Sequence, residues 1–206
     1  MWRAIFLAVL LGLAGCREPP AVFRTTDISG AQFGRSLGGM TDHRGQARAL
    51  PDFQGKATLL FFGYLSCPDV CPTTLARFSE AMKRLGPGAD KVQVLLITVD
   101  PERDTAEKLG AYVTGFHPSF IGLRADLPAT EAVAKEFKVF FSRRKGSEPD
   151  EHAHNQPHAQ SAGSYMLDHS TGTYVFDPAG RIRLYIKDDA SVEDIVSDLK
   201  LLIAGK

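Results

Sequence analysis

Two cysteines spaced four residues apart are the strongest candidates for chemistry in this sequence. Cys67 and Cys71 lie in the stretch GYLSCPDVCPTTL that begins at Gly63. The apolar pattern over 57–62 predicts a buried strand before them, and the pattern over 73–85 predicts a helix after them. Ligands and reactive groups gather at this strand-to-helix edge in open α/β sheets, so both thiols are candidates for a functional site.

Pro72 suggests how the two thiols are presented. Its fixed φ and missing N–H suit the first position of a helix. Cys71 is then the predicted N-cap, and 67–71 is a tight loop rather than a helical turn, because a residue before proline avoids helical φ and ψ. The helix dipole favours a thiolate at that position, so we predict a lowered pKa for the Cys71 thiol.

The pair Cys67 and Cys71 can be a redox pair, a pair of metal ligands or a structural disulfide. A loop with three intervening residues permits a Cys67–Cys71 disulfide. A disulfide that closes so short a loop removes little chain entropy, which makes it a weak structural staple. The same spacing opens the distance between the sulfurs and suits joint coordination of one soft metal ion. We therefore expect a redox or metal-binding role.

A metal site needs a third ligand, and His169 is the leading candidate. It follows a predicted strand over 165–168, which we expect to pair in the same sheet as 57–62, and Asp168 beside it can orient the imidazole. Two thiolates and one imidazole suit copper(I) or copper(II). Zinc stays possible if water or a nearby histidine-bearing loop supplies a fourth ligand.

The order of predicted elements indicates an α/β chain with a thioredoxin-like fold. We predict strands over 57–62, 91–99 and 120–123, helices over 73–85, 105–115 and 129–137, a hairpin around a turn at 177–180, and a helix over 192–203 capped by Ser191. This is a βαβ unit followed by a ββα unit. A short N-terminal hairpin with a turn near 42–45 and a long loop insert over 142–163 are added to it.

The N-terminus has the pattern of an exported lipoprotein. A positive start and the apolar run 4–14 fit a signal peptide, since about 20 residues are needed to span a membrane. The following LAGC resembles a bacterial lipobox, which implies cleavage before Cys16 and lipidation of its thiol. We divide the chain into a signal peptide (1–15), a tether (16–35) and a domain (36–206). The net charge of zero gives no electrostatic reason to expect nucleic-acid binding.

Three blocks of the sequence together resemble the Sco/SenC family of copper-binding assembly proteins. They are the cysteine stretch, the segment TVDPERDT that begins at Thr98, and the segment DHS that contains His169. The resemblance implies a thioredoxin-like fold and copper bound by Cys67, Cys71 and His169. It also implies a role in delivering copper to, or reducing the thiols of, the dinuclear copper centre in cytochrome c oxidase subunit II. We interpret the block around Asp100 as structural or partner-facing.

Other functions and sites stay open from the sequence. The main alternative is a general periplasmic thiol–disulfide oxidoreductase, and another copper-site apoprotein can be the partner. A peroxidase is disfavoured, because no Thr or Ser precedes a single attacking cysteine with an arginine nearby. The insert contains His152, His154 and His158, which leaves open a second, weaker metal site. We expect the protein on the periplasmic side of the cell envelope, held by its lipid at the inner membrane.

Overall fold

A seven-stranded mixed sheet forms the centre of the fold. The structure is a computed structural model and describes residues 21–144 and 165–206. In spatial order the strands are β1 (Thr26–Asp27), β9 (Ile182–Ile186), β8 (Thr173–Phe176), β3 (Ala57–Gly63), β4 (Val92–Thr98), β5 (Ile121–Arg124) and β2 (Thr41–Asp42). Strands β3, β4 and β5 run parallel, and the other neighbours are antiparallel. The parallel strands thus end at one edge of the sheet.

Helices cover both faces of this sheet. They are α1 (Val70–Leu85), α2 (Ala106–Phe116), α3 (Leu127–Glu136) and α4 (Val192–Ile203). Every residue of β3 and β4 is buried, as expected for central strands of a sheet covered on both sides. Leu59 and Phe61 belong to the core formed with α1, α2 and α4, whereas Leu60 and Phe62 belong to the core formed with α3. This alternation fixes the register of β3.

The predicted element order is confirmed, and the fold is thioredoxin-like. Ser191 caps α4 by accepting a hydrogen bond from the Asp194 amide at 3.1 Å, as predicted. The turn between β8 and β9 closes with the Gly180 amide donating to the Asp177 carbonyl at 2.8 Å. No helix in the described part of the chain is both long enough and apolar enough to span a membrane.

The N-terminal part of the domain differs in one respect from the predicted organisation. A turn at 42–45 is present, and Thr41 bridges Ala47 to give the predicted short hairpin, whose strand β2 also pairs with β5. Residues 24–27, however, lie within the predicted tether and yet are bound to the domain. Strand β1 pairs with β9, and buried Asp198 of α4 accepts hydrogen bonds from the amides of Arg24 and Thr25. This part of the tether is therefore fixed.

A separate two-stranded sheet joins β6 (Phe141–Arg144) to β7 (Met166–His169). Two expectations were wrong here. Strand β7 does not pair in the main sheet, where β8 occupies the place beside β3, and residues 142–144 form a strand rather than loop. The rest of the insert lies outside the described residues, together with the signal peptide. This applies to the predicted sites Cys16, His152, His154 and His158.

Candidate metal centre

The end of β3 positions the first thiol. Gly63 is the last residue of β3, and the chain then turns so that the Cys67 amide donates to the Tyr64 carbonyl at 3.2 Å. The Leu65 amide in the same turn donates to the carboxylate of buried Asp104 at 3.1 Å. Burial raises the pKa of Asp104. Cys67 is half-buried and therefore accessible from solvent at the edge of the sheet.

Cys71 lies inside the first turn of α1 rather than before it. The helix begins at Val70, so the predicted N-cap position of Cys71 was wrong. The first N–H groups of a helix have no intrahelical partner, so Pro72 fits the third position as well as the first. Pro72 is thus compatible with a helical turn packed against the end of β3. The position of Cys71 within this turn directs its side chain toward the sheet.

The Cys71 thiol is less acidic than the sequence suggested. Its residue is only 1% exposed, and burial raises the pKa of the thiol because a buried thiolate loses its hydration. A hydrogen bond from the Tyr64 backbone opposes this rise without reversing it. The predicted lowering by the helix dipole was therefore wrong in sign. Cys71 is close enough to Gly63 that a Cβ there would lie 2.6 Å from its sulfur.

His169 reaches the thiols from the end of β7. Its strand partner is Phe141, so the ribbon β6–β7 carries the imidazole to the edge of the main sheet. The His169 ring also packs edge-on against Tyr64, with centroids 5.8 Å apart and an interplanar angle of 84°. The hydroxyl of buried Tyr64 accepts a hydrogen bond from the Leu167 amide at 3.3 Å. The Tyr64 hydroxyl also lies 4.0 Å from the Met166 sulfur, so Tyr64 contacts β7 at three residues.

The structure brings the three predicted ligands together. The Cys71 Sγ and His169 Nε2 atoms are 3.9 Å apart, and the ligand atoms of Cys67, Cys71 and His169 all lie within 4.8 Å of one another. Both cysteines are free thiols in this structure. No other group of three or more His, Cys, Asp or Glu side chains within residues 21–144 and 165–206 is placed to hold a metal ion.

The imidazole is held in the orientation that a ligand needs. The His169 Nδ1 atom lies 3.0 Å from the Ser170 carbonyl oxygen. An Nδ1–H that donates to this carbonyl leaves the Nε2 lone pair directed at the thiols. Asp168, the predicted orienting residue, is exposed and lies on the opposite face of β7, because side chains alternate along a strand. The backbone of Ser170 takes the role expected of Asp168.

This donor set fits one soft metal ion. Bonds from sulfur and nitrogen to a metal such as zinc are about 2.3 and 2.0–2.1 Å, so two ligands of one ion lie at most about 4.3–4.6 Å apart. The observed 3.9 Å between Cys71 Sγ and His169 Nε2 is below that maximum. The upper limit of 4.8 Å for the separations among the three ligand atoms exceeds the maximum by a few tenths of an ångström at most. Thiolate and imidazole donors favour copper or zinc over hard cations such as magnesium.

The segment after β4 supports the centre without supplying a ligand. Thr98 donates to the Asp104 carboxylate at 2.5 Å, and the Tyr165 hydroxyl donates to the Asp100 carboxylate at 2.6 Å. Arg103 forms an ion pair with Asp100 and donates to the Tyr165 carbonyl at 2.9 Å. Of the two interpretations of the Asp100 block, structural or partner-facing, these contacts favour the structural one.

Several residues that shape the centre had no role in the predictions made from the sequence. Three of them lie inside the motif blocks: Gly63, Tyr64 and Arg103. Their proximity in sequence to the cysteines and to Asp100 was the signal that could have identified them as site residues. Ser170 acts through its carbonyl oxygen, which every residue has, so no side-chain pattern could reveal it. The separate pairing of β7 was hidden as well, because periodicity identifies a strand but not its neighbour.

Comparisons with known proteins agree with the motif blocks. The family model described as SCO1/SenC matches residues 33–204. The protein SCO2 homolog of Bos taurus mitochondria is 33% identical over 184 residues, which cover 88% of this chain and 64% of the bovine protein. A SCO2-like protein of Rickettsia felis is 34% identical over 161 residues, covering 78% of this chain and 73% of that protein. The chain thus spans less than two thirds of the bovine relative.

A solved structure gives the same result. Bradyrhizobium japonicum ScoI with copper bound has 31% sequence identity to this chain and a TM-score of 0.67, and the alignment covers 88% of this chain and 99% of that one. The resemblance inferred from the three motif blocks is therefore confirmed. The family model matches most of the chain, and relatives with more than 30% identity align with 78–88% of it. The chain therefore belongs to the SCO1/SenC family.

Proposed function

We propose that this protein binds one copper ion through Cys67, Cys71 and His169 and serves in the assembly of the dinuclear copper centre of cytochrome c oxidase. The observation that carries the proposal is the convergence of two thiols and one oriented imidazole within 4.8 Å. The copper-bound ScoI relative supports the choice of metal. The three motif blocks support the role in oxidase assembly.

Each ligand has its own part in this site. Cys67 and Cys71 provide soft sulfur donors, which satisfy copper(I) when both are thiolates. His169 provides Nε2, which adds the nitrogen donor that copper(II) favours, while its Nδ1 is engaged by Ser170. The raised pKa of Cys71 means that metal binding must displace a proton from a buried thiol. Affinity is therefore tied to pH as well as to the redox state of the cysteines.

Oxidation of the two thiols offers a way to release the ion. Formation of a Cys67–Cys71 disulfide transfers two electrons from the two thiolates to an oxidant such as a partner protein's disulfide, which takes up two protons and becomes a dithiol. Neither sulfur is then a thiolate ligand. The free thiols and their short loop are compatible with this reaction. We infer that the protein alternates between a metal-binding dithiol and a disulfide with little affinity for copper.

Separate titrations with copper(I) and copper(II) test the site. Reduced wild type should bind one equivalent of each. His169→Ala should weaken copper(II) far more than copper(I) and remove or shift the sulfur-to-copper charge-transfer band. Cys67→Ser and Cys71→Ser should impair both oxidation states. If His169→Ala keeps wild-type copper(II) affinity and spectrum, the third ligand is elsewhere, and the loop with His152, His154 and His158 is the first place to look.

The proposed partner is the copper-site apoprotein of cytochrome c oxidase, with subunit II as the first candidate. Copper-loaded protein mixed with the metal-free copper domain of subunit II should transfer its ion, which absorption of the dinuclear centre would report. A control domain without its copper ligands should take up none. If the metal stays on the loaded protein under these conditions, direct delivery to subunit II is wrong.

A thiol–disulfide oxidoreductase is the second candidate, and the unequal exposure of the two cysteines favours it. Half-buried Cys67 can attack a partner disulfide as a thiolate, expelling one partner sulfur and forming a mixed disulfide. Cys71 then attacks the Cys67 sulfur, which yields the Cys67–Cys71 disulfide and a partner dithiol. Rapid reduction of a protein disulfide without metal would favour this function. Copper binding without such turnover would favour the metallochaperone.

The membrane attachment is a proposal from the sequence alone. We propose that Cys16 carries lipid after removal of residues 1–15 and holds the domain on the periplasmic side of the inner membrane. Within the described part of the predicted tether, residues 24–27 are bound to the domain. We also propose that the insert supplies a second, weaker metal site through His152, His154 and His158.

A further inference from the structure

Contacts outside the main sheet hold the strand that carries His169. Strand β7 pairs only with β6 among the described strands, so the hydrogen-bond ladder of the main sheet does not hold it. Besides the packing of buried Leu167 in the core, two groups of contacts connect it to the elements behind the thiols. One is Tyr64, which binds Leu167 and packs on His169. The other is Arg103 with Asp100, which bind Tyr165 immediately before the strand.

Arg103 makes contacts on three sides. Its guanidinium pairs with the Asp100 carboxylate, donates to the Tyr165 carbonyl at 2.9 Å and lies 3.7 Å from the centre of the Tyr165 ring. The Tyr165 hydroxyl donates back to Asp100 at 2.6 Å, so the three residues form a closed ring of contacts. The same guanidinium lies 5.9 Å from the centre of the Tyr64 ring.

This arrangement transmits the position of Arg103 to His169 by two routes. The first runs along β7, a short strand paired over its whole length with β6, from Tyr165 immediately before the strand to His169 at its end. The second runs through the Tyr64 ring, which both Arg103 and the imidazole approach. The two thiols are positioned by β3, α1 and the Tyr64 backbone, whereas Arg103 faces the Tyr64 ring and binds Tyr165 just before β7. Its contacts therefore act chiefly on the nitrogen ligand.

We propose that Arg103 is a positioning residue for His169 and thereby sets how strongly the site prefers copper(II) over copper(I). This rests on the proposed copper site. Copper(I) is satisfied by the two thiolates, whereas copper(II) depends on the imidazole. Loss of Arg103 frees the start of β7 and removes a neighbour of Tyr64, so the imidazole samples positions away from the sulfurs. The site then loses more affinity for copper(II) than for copper(I).

Arg143 provides a matched control. Its guanidinium lies 4.5 Å from the centre of the same Tyr165 ring, but its ion pair is with exposed Glu102, and it is itself exposed. Arg143→Gln therefore removes a stacked arginine without breaking the ring around Asp100. Arg103→Lys keeps a positive charge beside Asp100 but loses the planar guanidinium, which donates hydrogen bonds and stacks on the Tyr165 ring. It should therefore weaken copper(II) binding to an intermediate degree.

The test measures copper(II) and copper(I) affinities of each variant, the electron paramagnetic resonance spectrum of the copper(II) form, and thermal unfolding of the metal-free form. Arg103→Gln should weaken copper(II) about 10- to 100-fold, as expected for loss of a contact behind a ligand, and change the spectrum. Its copper(I) affinity should stay within about threefold of wild type, because both sulfur ligands are intact. Arg143→Gln should match wild type in both.

Equal loss of both affinities, or no loss of either, in folded Arg103→Gln would overturn the inference while leaving the copper site in place. If wild type itself bound no copper, the proposed function would fail with it. Tyr165→Phe decides the matter if Arg103→Gln does not fold. It keeps the ring and removes the hydroxyl bond to Asp100, so it should weaken copper(II) selectively but less. Wild-type copper(II) affinity in Tyr165→Phe would then overturn the inference.

Discussion

Gly63 ends β3 beside the Cys71 sulfur, and its replacement by alanine tests whether that close approach is part of the site. A Cβ at this position would lie 2.6 Å from Cys71 Sγ and 3.2 Å from a methyl of Leu96. Non-bonded heavy atoms are most stable about 3.5–4.0 Å apart, so the sulfur must move by about 1 Å or its side chain must rotate. Metal–ligand distances tolerate only about 0.2 Å, so either response removes Cys71 as a ligand.

Two opposing effects decide the stability of Gly63→Ala. Alanine inside a strand is favoured over glycine by about 0.5–1 kcal/mol, whereas overpacking of a filled core costs about 1–3 kcal/mol. Because Cys71 and Leu96 are both buried, we expect overpacking to dominate and the reduced, metal-free protein to lose about 1–2 kcal/mol. Copper(I) affinity should fall at least about tenfold, which corresponds to about 1.4 kcal/mol.

Gly115→Ala is the matched control for this substitution. Gly115 is an exposed residue of α2, and a Cβ there would meet no atom within 4 Å. Helix propensity predicts a gain of up to about 1 kcal/mol in stability and no change in copper affinity. Denaturant unfolding and competition with a copper(I) chelator measure both quantities. If Gly63→Ala binds copper(I) as tightly as wild type and is equally stable, Cys71 does not depend on that space and the reasoning is refuted.

Three further predictions concern the ligands and the chain outside the described residues. Apparent copper(I) affinity should rise with pH by about tenfold per unit for each proton released, because binding must deprotonate Cys71, whose pKa is raised by burial; a flat profile in competition assays would contradict this. Replacement of His152, His154 and His158 by alanine should leave one tightly bound copper per chain in a copper titration. A triple variant that binds no copper tightly would show that the ligands are misassigned. Mass spectrometry of membrane-extracted protein should find a diacylated N-terminal Cys16, and an uncleaved chain would contradict it.

The sequence predicted the elements of the fold better than their pairing. Apolar patterns and the cap Ser191 marked strands and helices at nearly their observed bounds, because local periodicity and capping chemistry determine them. The partner of β7 depends on which strand fills the place beside β3. Strand β8 takes that place. Nothing local in the sequence of β7 shows that β7 itself does not pair with β3.

The same division holds for the centre. Residue types and the three motif blocks were sufficient to group Cys67, Cys71 and His169, and the structure brings these side chains together. The acidity of Cys71 could not be predicted, since the dipole argument used only its place near a helix start. Whether burial or the dipole dominates depends on how the first turn of α1 packs against Gly63, which is a tertiary property.

X-ray absorption spectroscopy of the copper-loaded protein tests the central claim most directly, because it counts the atoms bound to the metal. The proposed site predicts two sulfur ligands in both oxidation states and an imidazole nitrogen in the copper(II) form. In His169→Ala the imidazole signal should disappear while both sulfurs stay. A copper(II) form with fewer than two sulfur ligands, or an imidazole signal that persists in His169→Ala, would contradict the assignment of Cys67, Cys71 and His169 as the copper ligands.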